Sequence, residues 1–136
     1  MPSKEGISIQ RKNDFLDCLN SQKILIIDDE VPILKLLSNI LTRQGHTVDT
    51  AENGKDGVQK ILANAYNLII TDIIMPGKSG CHVLDEVRKA KGRSLPVVGM
   101  SGTPWLIDDN LFDAVLTKPF TREQLFEVIK NVAVSF

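Results

Sequence analysis

Three acidic residues lie at the ends of two strongly apolar segments. Asp28 and Asp29 follow residues 24–27, and Asp72 ends residues 67–72. A carboxylate at the end of a buried segment is costly because the charge loses its hydration. Carboxylates that lie close together also raise one another's pKa, so they favour a bound cation. Because oxygen ligands alone suit Mg²⁺ better than zinc, these residues are candidate magnesium ligands.

A serine and a lysine end two further apolar segments. Ser101 closes residues 97–101, and Lys118 follows residues 113–117. A hydroxyl can donate a hydrogen bond to a phosphoryl oxygen, and an ammonium group can offset its charge. A carboxylate beside Mg²⁺ can act as the nucleophile toward a phosphoryl group. The combined set therefore suits transfer of a phosphoryl group to an aspartate.

Each of these residues alone has a simpler interpretation. An aspartate after a strand is commonly a turn or cap residue. The sequence Asp28-Asp29-Glu30 could be the acidic first turn of a helix, which suits the helix dipole. Lys118 could be a solvated charge, and Ser101 a turn residue. Residue type, order and placement at the ends of four predicted strands together favour one shared site.

The elements that position these residues alternate along the chain from residue 23. Apolar runs predict strands at residues 24–28, 46–50, 67–72, 97–101 and 113–117. Helical spacing occupies residues 31–44 and recurs in three more segments, which begin at Asn53, at Ser79 or Gly80, and at the capping box that starts at Thr121. This alternation predicts an α/β fold with helices on both faces of a parallel sheet. Ligands bind such sheets at the carboxyl ends of the strands.

Residues 102–112 are the least regular part of the pattern. Pro104 and the apolar residues after it support at most one or two helical turns, so we predict a short or irregular fourth helix. Trp105 is either a core residue under this segment or an exposed contact for a partner, because tryptophan serves both purposes.

Composition limits the classes of function. The chain has 136 residues, of which 43% are hydrophobic and 24% charged, as in a soluble globular domain. A net charge of −1 predicts no direct binding to nucleic acid. The sequence contains neither a membrane-spanning run nor a signal peptide. Cys18 and Cys81 lack metal-type spacing. We expect a cytoplasmic protein with reduced thiols and no membrane contact.

Residues 1–22 stand outside the alternating pattern. We predict that they form an N-terminal extension to a domain that spans residues 23–136. Asn13 could cap a short helix whose apolar residues share one side. This helix either packs loosely on the domain or contacts a partner.

The chain resembles the receiver domain of response regulators in two-component signalling, the CheY-like superfamily. Four segments carry the resemblance: ILIIDDE at residues 24–30, DIIMPGKSG at 72–80, PVVGMS at 96–101 and LTKPF at 116–120. It covers roughly residues 23–134. The resemblance implies a flavodoxin-like (βα)5 three-layer sandwich whose five-stranded parallel sheet has the order 2-1-3-4-5.

The resemblance also implies a role for each candidate residue. Asp72 matches the phosphoacceptor, Ser101 the switch hydroxyl and Lys118 the phosphoryl contact. Mg²⁺ would be held by Asp29, by Asp72 and by the backbone carbonyl of Ile74, with Asp28 acting mainly through water. The bond between Lys118 and Pro119 is expected to be cis.

The function implied by the resemblance is magnesium-dependent phosphorylation of Asp72 by a histidine kinase or a histidine phosphotransfer protein. The domain would act without an attached output domain, as a monomer or weak homodimer, and would catalyse only its own phosphorylation and dephosphorylation rather than serve as an enzyme. Its downstream protein target is unknown. His46 and His82 are not placed to donate a phosphoryl group.

Two departures from the family pattern affect signal transmission. Receivers often carry Tyr or Phe three residues before the lysine, whereas this chain has Val115. The irregular segment after Ser101 is also shorter than is usual. These departures favour one alternative, a non-phosphorylated pseudo-receiver that serves as a protein-interaction module. Ile74 and Thr103 match positions that tune dephosphorylation, and apolar Ile74 predicts a long-lived phosphoryl group. A phosphohydrolase or a flavin-binding protein fits the motifs less well.

Overall fold

The computed structural model describes residues 21–75, 77, 79–103 and 111–134. The predicted helix at Asn13, the predicted fourth helix and Trp105 lie outside these residues. Among the described residues, no helix is long and apolar enough to cross a membrane.

Five parallel strands form one sheet in the order β2-β1-β3-β4-β5. They are β1 (Lys23–Ile27), β2 (Thr47–Ala51), β3 (Leu68–Asp72), β4 (Val97–Ser101) and β5 (Ala114–Thr117). This confirms the predicted strand order 2-1-3-4-5.

Four helices lie within the described residues: α1 (Val31–Arg43), α2 (Gly54–Ala63), α3 (Gly80–Lys91) and α4 (Arg122–Val134). Buried residues of α2 and α3 belong to one hydrophobic cluster, and those of α1 and α4 belong to a second. Strand β1 contributes to both clusters, with Leu25 and Ile27 in the first and Ile24 and Ile26 in the second. Successive side chains of a strand point to opposite faces, so the sheet lies between two helical layers. The predicted three-layer sandwich is confirmed.

Local sequence signals explain where several helices begin and end. Gly45, with φ of 93°, follows α1 in a backbone conformation that favours glycine. The side chain of Asn53 caps α2 by accepting a hydrogen bond from Asp56 N at 2.8 Å. At α4, Thr121 and Gln124 accept hydrogen bonds from each other's backbone nitrogens, at 3.0 and 2.8 Å. The predicted cap and capping box are confirmed.

A network of charged side chains links the amino ends of β4 and β5 to α3. Arg88 on α3 forms an ion pair with Asp113, with 2.8 Å between its guanidinium nitrogen and Oδ2. The same carboxylate oxygen accepts a hydrogen bond from Val97 N at 2.7 Å. Arg88 also donates to the carbonyl of Leu95 at 3.0 Å. We predicted Asp113 as the first residue of β5, whereas the strand begins at Ala114.

The chain enters β1 beside the turn between α1 and β2. Ser21 Oγ donates to the carbonyl of Gly45 at 2.7 Å, and Gln22 N donates to His46 Nδ1 at 3.0 Å. Burial lowers the pKa of His46, which suits an imidazole nitrogen that accepts a hydrogen bond. His46 is partly buried here, at the amino end of the sheet.

Candidate functional site

Four strands carry the predicted site residues to the carboxyl edge of the sheet. Asp28 directly follows β1, Asp72 ends β3, Ser101 ends β4 and Lys118 directly follows β5. Asp28, Asp72 and Ser101 are all buried. Because the strands are parallel, these carboxyl ends share one edge, and the structure brings the residues together as the alternating pattern predicted.

Asp28, Asp29 and Asp72 form an acidic cluster at this edge. One carboxylate oxygen of each residue lies within 4.8 Å of those of the other two. Asp28 and Asp72 are buried, whereas Asp29 is exposed. Three hard oxygen donors at this spacing fit a small divalent cation such as Mg²⁺. Ile74, the other predicted ligand, lies in the connection from β3 to α3 with its side chain exposed.

Lys118 lies between the two buried carboxylates. Its Nζ is 3.1 Å from Asp28 Oδ2 and 3.4 Å from Asp72 Oδ2. Its backbone N donates to the carbonyl of Ser101 at 2.8 Å, which joins the ends of β4 and β5. The peptide bond between Lys118 and Pro119 is cis, as predicted. The lysine is therefore placed to contact any group that is attached to Asp72.

Asp28 and Asp29 have different surroundings although they are adjacent in sequence. Asp28 Oδ1 accepts a hydrogen bond from Glu30 N at 2.9 Å, and Oδ2 accepts one from Lys118 Nζ. Donors from the protein thus occupy both oxygens of Asp28, while Asp29 faces solvent. The direct metal contact of Asp29 and the part of Asp28 mainly through water stay predictions.

Burial and charge shift the pKa values in the site. Burial raises the pKa of Asp72, and the charges of Asp28 and Asp29 raise it further, against the opposing effect of Lys118. Burial alone would lower the pKa of Lys118, but the carboxylates of Asp72 and Asp28 outweigh it, and the net shift is upward. Within the part of the chain that the structure describes, one ammonium group faces three carboxylates, so a bound cation would relieve the excess negative charge.

The turn after Asp72 depends on close backbone contact at Gly80. Gly80 N donates to the carbonyl of Ile73 at 2.9 Å. A Cβ atom at Gly80 would lie 2.5 Å from the carbonyl oxygen of Asp72 and 2.7 Å from Ile73 Cα. Our sequence reasoning assigned Gly80 only to the start of a helix, and the glycine itself was the available signal for this close approach.

The N-cap of α3 engages His82. Nδ1 of His82 accepts a hydrogen bond from Ser79 N at 3.2 Å, and Ser79 Oγ lies at the same distance from it. The histidine therefore completes a capping box.

The surroundings of Val115 contain an aromatic residue that sequence reasoning did not assign to the site. Partly buried Val115 packs against the cluster that includes Ile73 and Phe112. Its partner on β4 is Gly99. A Cβ atom at Gly99 would lie 2.6 Å from Ile73 Cδ1 and 3.1 Å from Phe112 Cδ1. Ile73 and Phe112 therefore fill the space that a side chain at Gly99 would take.

Comparison of the sequence with known proteins identifies relatives of one kind, the response regulators. The sequence model of the response regulator receiver domain matches residues 24–130. Transcriptional regulatory protein DltR of Streptococcus agalactiae is 33% identical over 113 residues, which cover 79% of this chain and 50% of that protein. The CpxR homolog of Haemophilus influenzae is 35% identical over 115 residues, which cover 81% of this chain and 49% of that protein. The chain spans about half the length of these curated relatives.

Solved structures show the same fold. Response regulator TrrA of Thermotoga maritima, crystallised in complex with Mg²⁺–BeF, superposes with a TM-score of 0.75 at 33% identity. The match covers 82% of this chain and 98% of that chain. A receiver domain from Clostridium thermocellum superposes with a TM-score of 0.74 at 29% identity and covers 83% of this chain and 94% of that one.

Proposed function

Because the chain belongs to the response-regulator receiver domain family, we propose that it accepts a phosphoryl group on Asp72 in a magnesium-dependent reaction. One observation carries the proposal. Oxygens of Asp28, Asp29 and Asp72 lie within 4.8 Å of one another, and Lys118 Nζ is 3.4 Å from Asp72. A nucleophilic carboxylate, oxygen ligands for a hard cation and a neutralising ammonium group are thus present in one place.

Each residue has a distinct part in the proposed reaction. An oxygen of Asp72 forms a bond to phosphorus while the bond between phosphorus and nitrogen in phosphohistidine breaks, and the imidazole leaves. Lys118 offsets the charge of the transferred oxygens, and Ser101 donates a hydrogen bond to one of them. Asp29, Asp72 and the carbonyl of Ile74 would hold Mg²⁺, with Asp28 acting mainly through water. The cation, when bound, supplies further stabilisation of negative charge.

Receiver domains interact with histidine kinases or phosphotransfer proteins, and we propose a donor of this class for the chain. The expectations that the domain acts without an attached output domain and as a monomer or weak homodimer stay predictions. So do the assignment of residues 1–22 to an extension and a cytoplasmic location. The matched segments cover 50% and 49% of these two curated relatives.

Intact-mass measurement after incubation with Mg²⁺ and acetyl phosphate tests this function. We expect the mass of one phosphoryl group to appear on the wild type. Asp72→Asn and an excess of EDTA should each abolish it. Asp85→Asn is the matched control, because Asp85 is an exposed carboxylate paired with Lys89 on the surface of α3. An unmodified wild type, under conditions that label another receiver, would overturn the proposal.

The packing around Val115 favours one alternative, a pseudo-receiver that binds partners without phosphorylation. Val115 is not the aromatic residue that many receivers carry at this position, and Ile73 and Phe112 occupy the neighbouring space. If this alternative holds, a captured partner will bind wild type and Asp72→Asn equally, with or without acetyl phosphate. A phosphorylation-dependent change in binding would exclude it.

A further inference from the structure

Strand β2 is the outermost strand on one side of the sheet, since β1 is the only described strand beside it. Its hydrogen bonds show which backbone groups face β1. Thr47 N donates to the carbonyl of Gln22, and the carbonyl of Ala51 accepts from the residue that follows β1. Backbone groups of successive residues point alternately to the two sides of a strand. The amides and carbonyls of Val48 and Thr50 therefore face the open side of β2.

One of these four backbone groups has a partner within the described ranges. The ammonium group of Lys60 on α2 donates a hydrogen bond to the carbonyl of Thr50. The amide and carbonyl of Val48 and the amide of Thr50 form none with the described residues. The Thr50 carbonyl can also accept a second bond, because it has two lone pairs. The open side of β2 can therefore pair with one more strand.

A groove lies on each side of this open strand. The groove between β2 and α1 includes the apolar side chains of Val31 and Leu34. The side chain of Val48 points to the same layer, since it packs against the hydrophobic cluster of α1 and α4. The groove between β2 and α2 is lined by polar side chains such as Gln59 and Lys60, and its apolar residues among those described are alanines. An added strand would therefore meet an apolar groove on one face and a polar one on the other.

A segment of this chain has the matching pattern. Residues 6–10 precede the described part of the chain and have the sequence GISIQ. Alternation of apolar and polar residues is typical of a strand with one apolar face, and isoleucine is favoured in strands. Ile7 and Ile9 would share one face of such a strand, and Ser8 and Gln10 the other. These two faces correspond to the two grooves.

The described chain begins close enough to β2 for this segment to reach it. Ser21 Oγ donates to the carbonyl of Gly45 at 2.7 Å. Val48 is three residues after Gly45 and so lies within about 10 Å of it. Residues 10–20 span about 16 Å even as a helix, so Ile9 can reach Val48. Because the chain must return to Ser21 at the amino end of the sheet, the segment would run antiparallel to β2.

We propose that residues 6–10 bind the open side of β2 as an antiparallel strand, with Ile9 opposite Val48 and Ile7 opposite Thr50. In this register both isoleucines lie on the α1 side with Val48, and a slip of one residue would move them to the polar groove. The amides of Val48 and Thr50 donate to the carbonyls of the two isoleucines. The segment thereby covers a strand that would otherwise be open to strands of other molecules. The proposal is independent of the proposed phosphorylation.

Amide hydrogen exchange of the full chain, measured by NMR, tests this proposal. In the wild type we expect the amides of Val48 and Thr50 to be protected, because they donate to the added strand. In the double variant Ile7→Asn/Ile9→Asn both amides should exchange about tenfold faster or more, since the segment loses its apolar contacts.

Two controls separate binding of the segment from damage to the domain. Ser8→Asn/Gln10→Asn introduces the same residue type on the polar face of the segment and should leave exchange on the open side of β2 unchanged. The amides of Asp49 and Ala51 face β1 and should stay protected in every variant, which shows that β2 remains in the sheet.

Three results would overturn the proposal. Equal exchange of Val48 and Thr50 in the wild type and in Ile7→Asn/Ile9→Asn would show that residues 6–10 do not cover β2. Faster exchange in the polar-face control as well would show that the two faces of the segment do not differ as the grooves require. Protection that increases with protein concentration, together with a dimer in sedimentation, would show that a second copy of the chain covers β2 instead.

Discussion

Lys118 and Asp28 form an ion pair in which Nζ lies 3.1 Å from Oδ2 of a carboxylate with no exposed surface. The same ammonium group lies 3.4 Å from Asp72. The ammonium group of Lys118 therefore contacts two buried carboxylates. Asp29 adds a third negative charge on the solvent side. Among the described residues, the negative charge of the site exceeds the positive charge beside it, and this imbalance governs the stability of the domain and its affinity for cations.

Replacing Asp72 by Asn is expected to stabilise the protein in magnesium-free buffer. Burial, followed by the charge of Asp28, raises the pKa of Asp72 despite Lys118. An acid whose folded pKa is raised favours folding below its unfolded pKa of 3.8, and this contribution is lost as the pH rises through the folded pKa. At pH 7 the ionised Asp72 therefore opposes folding. Urea denaturation should show a gain of about 1 kcal/mol in the free energy of unfolding.

Asp113→Asn is the matched control for this measurement. Asp113 accepts hydrogen bonds from Arg88 and from Val97 N, so its charge supports the fold. We expect the free energy of unfolding to fall by about 1–2 kcal/mol. If Asp72→Asn lost as much stability as Asp113→Asn, the excess of negative charge around Asp72 would not oppose folding, contrary to this prediction.

Magnesium is expected to stabilise the wild type, because a cation that binds only the folded state shifts the folding equilibrium. The gain is about 2.7 kcal/mol when the free Mg²⁺ concentration is one hundred times Kd. Asp29→Asn should remove most of this gain without harm to the core, since Asp29 is exposed. Thermal unfolding with Mg²⁺ and with EDTA measures the effect. If Mg²⁺ raised the unfolding temperature of Asp29→Asn as much as that of Asp85→Asn, Asp29 would be excluded as a ligand.

Gly80→Ala is expected to disturb the turn after Asp72. The added Cβ would meet backbone atoms of Asp72 and Ile73 at 2.5 and 2.7 Å, and neither can move independently of the strand. We expect a loss of about 1–3 kcal/mol in the free energy of unfolding and weaker magnesium binding. Gly102→Ala is the control, because a Cβ there would meet nothing within 4 Å. Equal stability of the two variants would refute the close contact.

His46 predicts a fall in stability at mildly acidic pH. Burial lowers its pKa from 6.5, and its Nδ1 accepts a hydrogen bond from Gln22 N. A base with a lowered folded pKa binds fewer protons when folded, so the folded state loses stability as the pH falls below 6.5. His46→Asn offers a neutral acceptor at a similar position. The difference in unfolding free energy between the two proteins should therefore grow between pH 7.5 and 5.5, and a constant difference would exclude the effect.

Ile74 is expected to prolong the life of the proposed phosphoryl group. Its side chain is 61% exposed beside the site, and an apolar group cannot orient an attacking water molecule. Ile74→Asn supplies an amide that can do so, and we expect hydrolysis to become several-fold faster, by roughly the effect of one hydrogen bond. Loss of the phosphoryl mass over time measures the rate. A wild-type half-life of seconds, or an unchanged rate in the variant, would contradict this role.

The sequence predicted the layout of the site because two simple signals agree. Apolar runs located the strands, and parallel strands bring their carboxyl ends to one edge, so the pattern alone placed Asp28, Asp72, Ser101 and Lys118 together. Helix caps at Asn53 and Thr121 were predictable for a similar reason, because they depend only on residues close in sequence.

Contacts between distant residues were beyond this reasoning. Nothing in the order Asp28-Asp29 states that the first carboxylate faces Lys118, since that depends on where the end of β5 lies. The space at Gly99 that Ile73 and Phe112 fill is likewise a property of packed layers.

The network around Arg88 makes the two edges of the sheet differ in how readily they open locally. At the amino ends of β4 and β5, Asp113 is satisfied by Arg88 and by Val97 N. At the opposite edge, the charges of Asp28, Asp29 and Asp72 oppose one another, so that end of the sheet is electrostatically frustrated. Local opening is therefore expected to begin around Asp72 and to stop short of Arg88. A cation bound at the acidic cluster would therefore reduce local opening at the carboxyl edge of the sheet and leave the amino edge unchanged.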